Sequence, residues 1–362
     1  MSTIARRPAG LSVCAVTTVA LAAAVCAVVV ARPPPPPPPP PTDVIFLPSG
    51  AAHLLYARRW TAPGALLAFV GAEAPITASL YDVTAPPPPL VEPSAAPGPA
   101  AECRGPVIHE ERLTTVWWPL RRFLQHLRSE AHRNGSARAY VEDTYLYSAD
   151  PAYPNLARNR GSAGLHRLEP DLPQPLGTAP RFFGRADLAR LAGAPCSAIA
   201  LFIGNGSESS MHQDVGEMNF ITQVSGCKHV ITAPPEADAV IGRHPQAPND
   251  ALLDTTTLAK WGGIEEQQQQ PQRRQPRQRG NMGSSNDEEE EEEEEQQETE
   301  EPSLTLCNGA VRVPGARYHR LCAGDALFLP TSTWHALYGD PVPASEPPSM
   351  TVTFFFDGAE AL

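Results

Sequence analysis

From Ser197 onward the chain is cut into short apolar stretches by Gly, Pro and Ser, and this punctuation limits the fold more than any other feature. Ser197–Ile203, Asn219–Val224, Lys228–Thr232, Ala326–Leu329, Trp334–Tyr338 and Thr351–Phe356 are each too short for a globular helix and rich in β-branched and aromatic residues. Their spacing predicts a mainly β architecture, a jelly roll with flanking helices. Upstream, Val44–Leu47 and Ala65–Val70 also read as strands. Thr114–His132 carries Trp117, Leu120, Phe123, Leu124 and Leu127 at three- and four-residue steps, which predicts an amphipathic helix.

Several segments are too polar or too proline-rich to join such a core. The 42 prolines, the glutamine run Gln267–Gln270 and the eight consecutive glutamates Glu288–Glu295 cannot bury enough apolar surface to offset chain entropy. Residues 262–303 therefore read as a disordered Gln/Arg/Glu-rich insertion, and residues 84–102 as a Pro-rich loop, within one folded domain spanning 44–362. The insertion reads as a solvated loop, with recruitment of a protein partner as the sharper alternative. The formal charge of −12 has the same origin, since Asp287–Glu301 holds twelve acids and no base, and the rest of the chain balances at 28 of each sign. No nucleic-acid-binding surface is indicated.

Ahead of the domain, residues 1–10 form a short tail containing Arg6 and Arg7. Residues 11–31 lack any charge and as a helix would be roughly 31 Å long, about one bilayer core. This segment is expected to be an uncleaved transmembrane signal anchor, with a cleaved signal peptide or a mitochondrial presequence as alternatives. The favoured topology is single-pass, with the domain on the lumenal side of the endoplasmic reticulum; mitochondrial and secreted destinations are the alternatives. Residues 32–43 form a polyproline spacer. Seven cysteines at irregular spacing show neither a zinc pattern nor a fully paired disulfide scaffold. Asn134-Gly-Ser and Asn205-Gly-Ser are glycosylation sequons, the second read as a turn.

The chemistry-bearing residues sit on the predicted strands. His212 and Asp214 are two apart, so an extended strand turns both side chains to one face. His335 follows 123 positions later, of which the insertion accounts for 42. Two imidazoles and a carboxylate are the ligand set of non-haem Fe(II) oxygenases, with the remaining positions open to a co-substrate and O2. Taken alone, His335 reads as a core histidine; the His-x-Asp pair changes that. Lys228 is one of only two lysines in the chain. It shares a strand face with Val230 and Thr232, and an ammonium inside a barrel calls for a carboxylate counter-ion such as a bound dicarboxylate. The plainer reading is a strand lysine whose head reaches solvent.

Four blocks carry a resemblance: Leu201-Phe-Ile-Gly-Asn-Gly-Ser-Glu-Ser-Ser-Met-His-Gln-Asp214, Asn219-Phe-Ile-Thr-Gln-Val-Ser-Gly-Cys-Lys228, Gly324-Asp-Ala-Leu-Phe-Leu-Pro-Thr-Ser-Thr-Trp-His335 and Thr351-Val-Thr-Phe-Phe-Phe-Asp-Gly358. Together they resemble the JmjC-type cupin 2-oxoglutarate oxygenases, nearest the small hydroxylase branch that includes the asparaginyl hydroxylase called factor inhibiting HIF. The resemblance implies a double-stranded β-helix, Fe(II) held by His212, Asp214 and His335, and 2-oxoglutarate held by Lys228. It also implies that Ser209, Asn219, Thr353 and Tyr140 line the co-substrate pocket, with Tyr145 competing for the last position. Two departures stand out: the Asp214-to-Asn219 spacing is one residue longer than is common, and Thr353 replaces an asparagine. The implied activity is hydroxylation of a protein or peptide side chain, with N-methyl demethylation, a catalytically silent membrane-anchored scaffold and a sugar-binding cupin as alternatives.

Overall fold

The computed structural model describes residues 43–51, 57–81, 114–133, 137–149, 163–178, 195–214, 216–244, 247–251, 303–306 and 311–357, with Leu188 and Leu191. The expected anchor at 11–31, the polyproline spacer, the Pro-rich loop, all of the insertion except Ser303, and the Asn134 sequon lie outside these residues. Among the described residues, no helix is long and apolar enough to cross a membrane.

Fourteen strands alternate with short helices in the described residues: β1 Ile45–Leu47, α1 Ala65–Val70, β2 Pro75–Tyr81, β3 Thr114–Pro119, α2 Leu120–His126, α3 Glu130–Arg133, β4 Arg138–Ser148, β5 Ala198–Gly204, β6 Glu208–His212, β7 Glu217–Ser225, β8 Cys227–Ala233, β9 Ser303–Leu306, β10 Val311–Pro314, β11 Arg317–Cys322, β12 Ala326–Leu329, β13 Trp334–Gly339 and β14 Ser349–Asp357. An eight-stranded sheet runs β1-β12-β7-β14-β5-β4-β2-β3, and a four-stranded sheet runs β11-β8-β13-β6. All pairings are antiparallel. The chain crosses repeatedly between the two sheets, β5 to β6, β7 to β8 and β11 to β12 to β13 to β14, as a jelly roll requires.

Side-chain alternation sorts the apolar residues into three layers. Ile221, Val230, Leu321, Leu327 and Leu329 come from both sheets and pack between them. Phe220, Phe354, Phe356 and Leu201 face the other side of the large sheet, where Trp60, Leu66, Val70, Leu120 and Phe123 cover them. Behind the small sheet, Met211, Ile231, Trp334 and Tyr338 pack with Ile241, Ala251, Leu304 and Val313. Each buried Leu, Val or Phe contributes roughly 1.5–3 kcal/mol relative to exposure, so the helical layer is the main apolar reservoir. The space between the sheets holds a small apolar plug, and the rest of it is polar.

Two expectations are corrected. Ala65–Val70 is a helix, not a strand. A six-residue apolar run has no decisive period, and its Ala and Leu residues are strong helix formers. Left-handed Gly64 opens it, and Gly71 closes it by donating its N–H to Leu67 O. Thr114–His132 is not one helix. β-branched Thr114, Thr115 and Val116 with Trp117 and Trp118 form edge strand β3 against β2, and Pro119 ends it. The helical stripe survives only after the proline, where Leu120, Phe123 and Leu127 are buried while Trp117 is 74% exposed.

Candidate metal centre

β6 ends at His212, and Asp214 follows immediately beyond it. His335, second residue of β13, stands directly opposite His212 on one side and Thr232 of β8 on the other. The two imidazole centroids are 4.2 Å apart. Asp214 spans them: Oδ1 is 3.8 Å from His212 Nε2 and Oδ2 is 3.4 Å from His335 Nε2. One ligand atom from each residue lies within 4.8 Å of the others, close enough to share one ion.

The imidazoles are oriented from behind. His212 Nδ1 lies 2.7 Å from Ser210 O, and His335 Nδ1 lies 3.0 Å from Thr333 O. A carbonyl only accepts, so both Nδ1 atoms carry protons and both Nε2 atoms face Asp214. Asn219, at the start of β7, donates its amide N–H to Asp214 Oδ2. Its own Oδ1 is buried and, among the described residues, accepts no hydrogen bond.

Charge is distributed as a cation site needs. Burial pushes the Asp214 carboxyl up, but His335, His212 and the Asn219 amide outweigh it and hold the group below the usual carboxylate range. Burial lowers His212, and the neighbouring His335 adds to that, so this imidazole is neutral at neutral pH. Burial also opposes protonation of His335, yet the hydrogen bond and charge of Asp214 outweigh it and raise the group. The proton His335 gains sits on Nε2, where a metal would displace it. Two nitrogens and one carboxylate with fixed tautomers fit a divalent iron.

Ser209 reaches the same face by a local irregularity. In the β6–β13 register His335 faces His212 but Leu337 faces Ser209, so three residues of β6 span two of β13. This bulge re-phases the strand and places Ser209 Oγ 3.5 Å from His212 Nδ1. Asn219 contacts Asp214 despite the longer spacing between them. Thr353 occupies the interior face of β14, opposite Ile221, two residues before the partner of Asn219.

Lys228 is the second residue of β8, four residues before Thr232, and it is 4% exposed. Its Nζ lies 5.9 Å from the Tyr140 ring centroid and 5.6 Å from that of Phe202. The two rings stack at 6.2 Å. Gly204 makes room for them, because a Cβ there would meet Tyr140 Cδ2 at 2.8 Å. Tyr140 is thus the tyrosine whose ring lies beside the ammonium. Phe202 was missed in the sequence; its signal was its position on the interior phase of β5, two residues before Gly204. The Asn205 side chain is spent on Leu127 O, Val342 O and Val342 N, in keeping with its turn reading.

A disulfide joins Cys227, first residue of β8, to Cys322, last of β11, while Cys196 is free and buried. The irregular cysteine spacing had given no indication of this pair.

The family model described as the cupin-like domain matches residues 104–361. No curated protein matches the chain. That match covers most of the chain and every strand of both barrel sheets except β1 and β2, and the chain belongs to the cupin-like domain family.

Proposed function

We propose that the protein is an Fe(II)- and 2-oxoglutarate-dependent dioxygenase that hydroxylates a side chain of a protein or peptide. The observation that carries this reading is the pairing, in one barrel interior, of the His212–Asp214–His335 cluster with a buried lysine flanked by two aromatic rings. A structural metal site would have no use for the second element. Four residues of β8, roughly 13 Å of strand, separate Lys228 from the level of His335. A five-carbon dicarboxylate together with the lysine stem suits that interval.

The overall reaction converts substrate C–H, 2-oxoglutarate and O2 into C–OH, succinate and CO2. Fe(II), when bound, supplies the activation of O2 that couples decarboxylation to oxygen insertion. His212, Asp214 and His335 would hold the metal, and Asn219 steadies Asp214 by hydrogen bonding. Lys228 neutralises the distal carboxylate of the co-substrate while Tyr140 and Phe202 keep water from the ammonium. Ser209 and Thr353 supply hydroxyls on the same interior surface. Ile221, Val230 and Leu327 supply apolar surface between the two sheets, interleaved with these polar residues.

The sequence resemblance to the hydroxylase branch supports hydroxylation over demethylation. The Cys227–Cys322 bond supports an oxidising compartment, in keeping with a lumenal domain behind an N-terminal anchor. The test is succinate release by the Fe(II)-loaded full chain with ascorbate against peptide and protein libraries. Turnover that disappears in His212→Ala and Lys228→Met is expected; no turnover with any library, together with unchanged metal content in His212→Ala, would refute the reading.

A further inference from the structure

We propose that Gln213, the residue between His212 and Asp214, is a positioning residue for the metal centre, tying the end of β6 to the turn that carries His335, with Arg243 as its anchor. The proposal rests on the metal reading above.

Strand alternation sends Gln213 to the opposite face from its two neighbours, and it is 3% exposed there. Both ends of its amide are used. Nε2 donates to Ser332 O at 2.7 Å, and Oε1 accepts from Arg243 Nη2 at 2.9 Å. The two partners also determine which end is nitrogen, since Ser332 O only accepts and the guanidinium only donates.

Ser332 holds a left-handed backbone, φ 61, which costs a non-glycine residue about 1 kcal/mol and persists where surroundings enforce it. The Gln213 bond grips the carbonyl of that residue. The next carbonyl, Thr333 O, receives the His335 Nδ1 proton. A shift of the turn therefore becomes a rotation of the ligand ring.

Arg243 closes the network. Its Nε donates to Asp238 Oδ2 at 2.8 Å, its Nη1 to Pro248 O at 2.9 Å, and its guanidinium lies 5.2 Å from the Trp334 ring centroid. Trp334 Nε1 donates to Asp238 Oδ1 at 2.6 Å. One layer thus touches the chain neighbours of all three ligands: Gln213 adjoins His212 and Asp214, and Trp334 adjoins His335. The Arg243–Asp238 pair is about 40% exposed on both sides and adds little by itself. The bond to the buried Gln213 amide is the part that orients. Strand pairing already holds β6 against β13, so the network's separate contribution is the aim of the turn and the rings.

The experiment is calorimetric titration of Co(II) into the metal-free full chain, with the cobalt absorption spectrum and the melting temperature in EDTA recorded alongside. Gln213→Met keeps the volume and removes both bonds; Arg243→Ala, at an exposed position, removes only the anchor. Cobalt affinity is expected to fall 10–100-fold in Gln213→Met and less in Arg243→Ala, with an altered cobalt spectrum. If Gln213→Met does not fold, a loss of at least threefold in Arg243→Ala supports the proposal and a smaller one overturns it. Variants that melt lower yet bind cobalt within twofold of the parent chain would overturn it, because a purely structural role predicts that pattern. Absence of cobalt binding by the parent chain would instead sink the metal reading and this inference together.

Discussion

Removing the half-buried Cys227–Cys322 disulfide should markedly lower the stability of this fold. The bond links the first residue of β8 to the last of β11, which are directly opposite in register at a sequence separation of 95. Closing a loop of that size removes about 4.7 kcal/mol of unfolded-chain entropy in the chain-entropy treatment. For a domain of this size each kcal/mol moves the melting temperature by roughly 2–4 °C, so Cys227→Ala/Cys322→Ala should melt about 10–18 °C lower. The loop also contains the 262–303 insertion. Deleting it would shorten the loop from 95 to about 53 residues and reduce the disulfide's contribution by only about 0.5 kcal/mol, since closure entropy varies with the logarithm of length. Urea denaturation of four proteins, with and without the disulfide and with and without the insertion, measures both quantities. A disulfide worth under about 1 kcal/mol, or one whose worth changes severalfold on deleting the insertion, would refute the entropic argument.

Buried His132 is neutral in the fold: its Nδ1 accepts the Ala139 N–H, its Nε2 donates to Asn205 O, and burial lowers its pKa to about 4 from 6.5. The unfolded chain takes up this proton first, so stability should be complete above pH 6.5, fall by about 3 kcal/mol towards pH 4 and then level; a pH–melting curve no shallower in His132→Leu would contradict this. His335 is raised by Asp214 and must lose its Nε2 proton to bind metal, so Co(II) affinity should weaken as pH falls. Calorimetry in two buffers of different ionisation enthalpy should detect the released proton, and a pH-independent affinity would count against that ligand assignment. Asp171 accepts the buried Trp60 Nε1 at 2.7 Å and Arg59 Nε at 2.8 Å. Asp171→Ala should cost about 2–3 kcal/mol in urea denaturation, and a loss under about 0.5 kcal/mol would show that these bonds contribute little.

Much of the barrel was legible because its strands are short and flanked by turn residues; Ala326–Leu329 is strand β12 to the residue. The His212–Asp214–His335 cluster was legible because His212 and Asp214 are only two residues apart at a strand end, a spacing that needs no tertiary information. What failed was local ambiguity or long-range pairing. Ala65–Val70 has too few residues to show a period. Trp117 mimicked a helical stripe at its spacing from Leu120, although only the residues after Pro119 follow it inward. The disulfide depends on the register of β8 with β11, which cysteine spacing does not encode. Ser209 is out of phase with His212 by strict alternation, and only the bulge restores it. Gln213 passed as a spacer because its partners, Ser332 and Arg243, are 119 and 30 positions away.

The central claim is that one barrel interior holds both a divalent metal and a dicarboxylate, through His212, Asp214 and His335 at one level and Lys228 at another. Titrating 2-oxoglutarate into the Mn(II)-loaded full chain without O2 tests it most directly. Saturable binding is expected, lost on adding EDTA and weakened about 10–100-fold in Lys228→Met with Mn(II) affinity unchanged, the loss of one charge-assisted contact. Binding that is absent, or equally strong without metal and without Lys228, would contradict it.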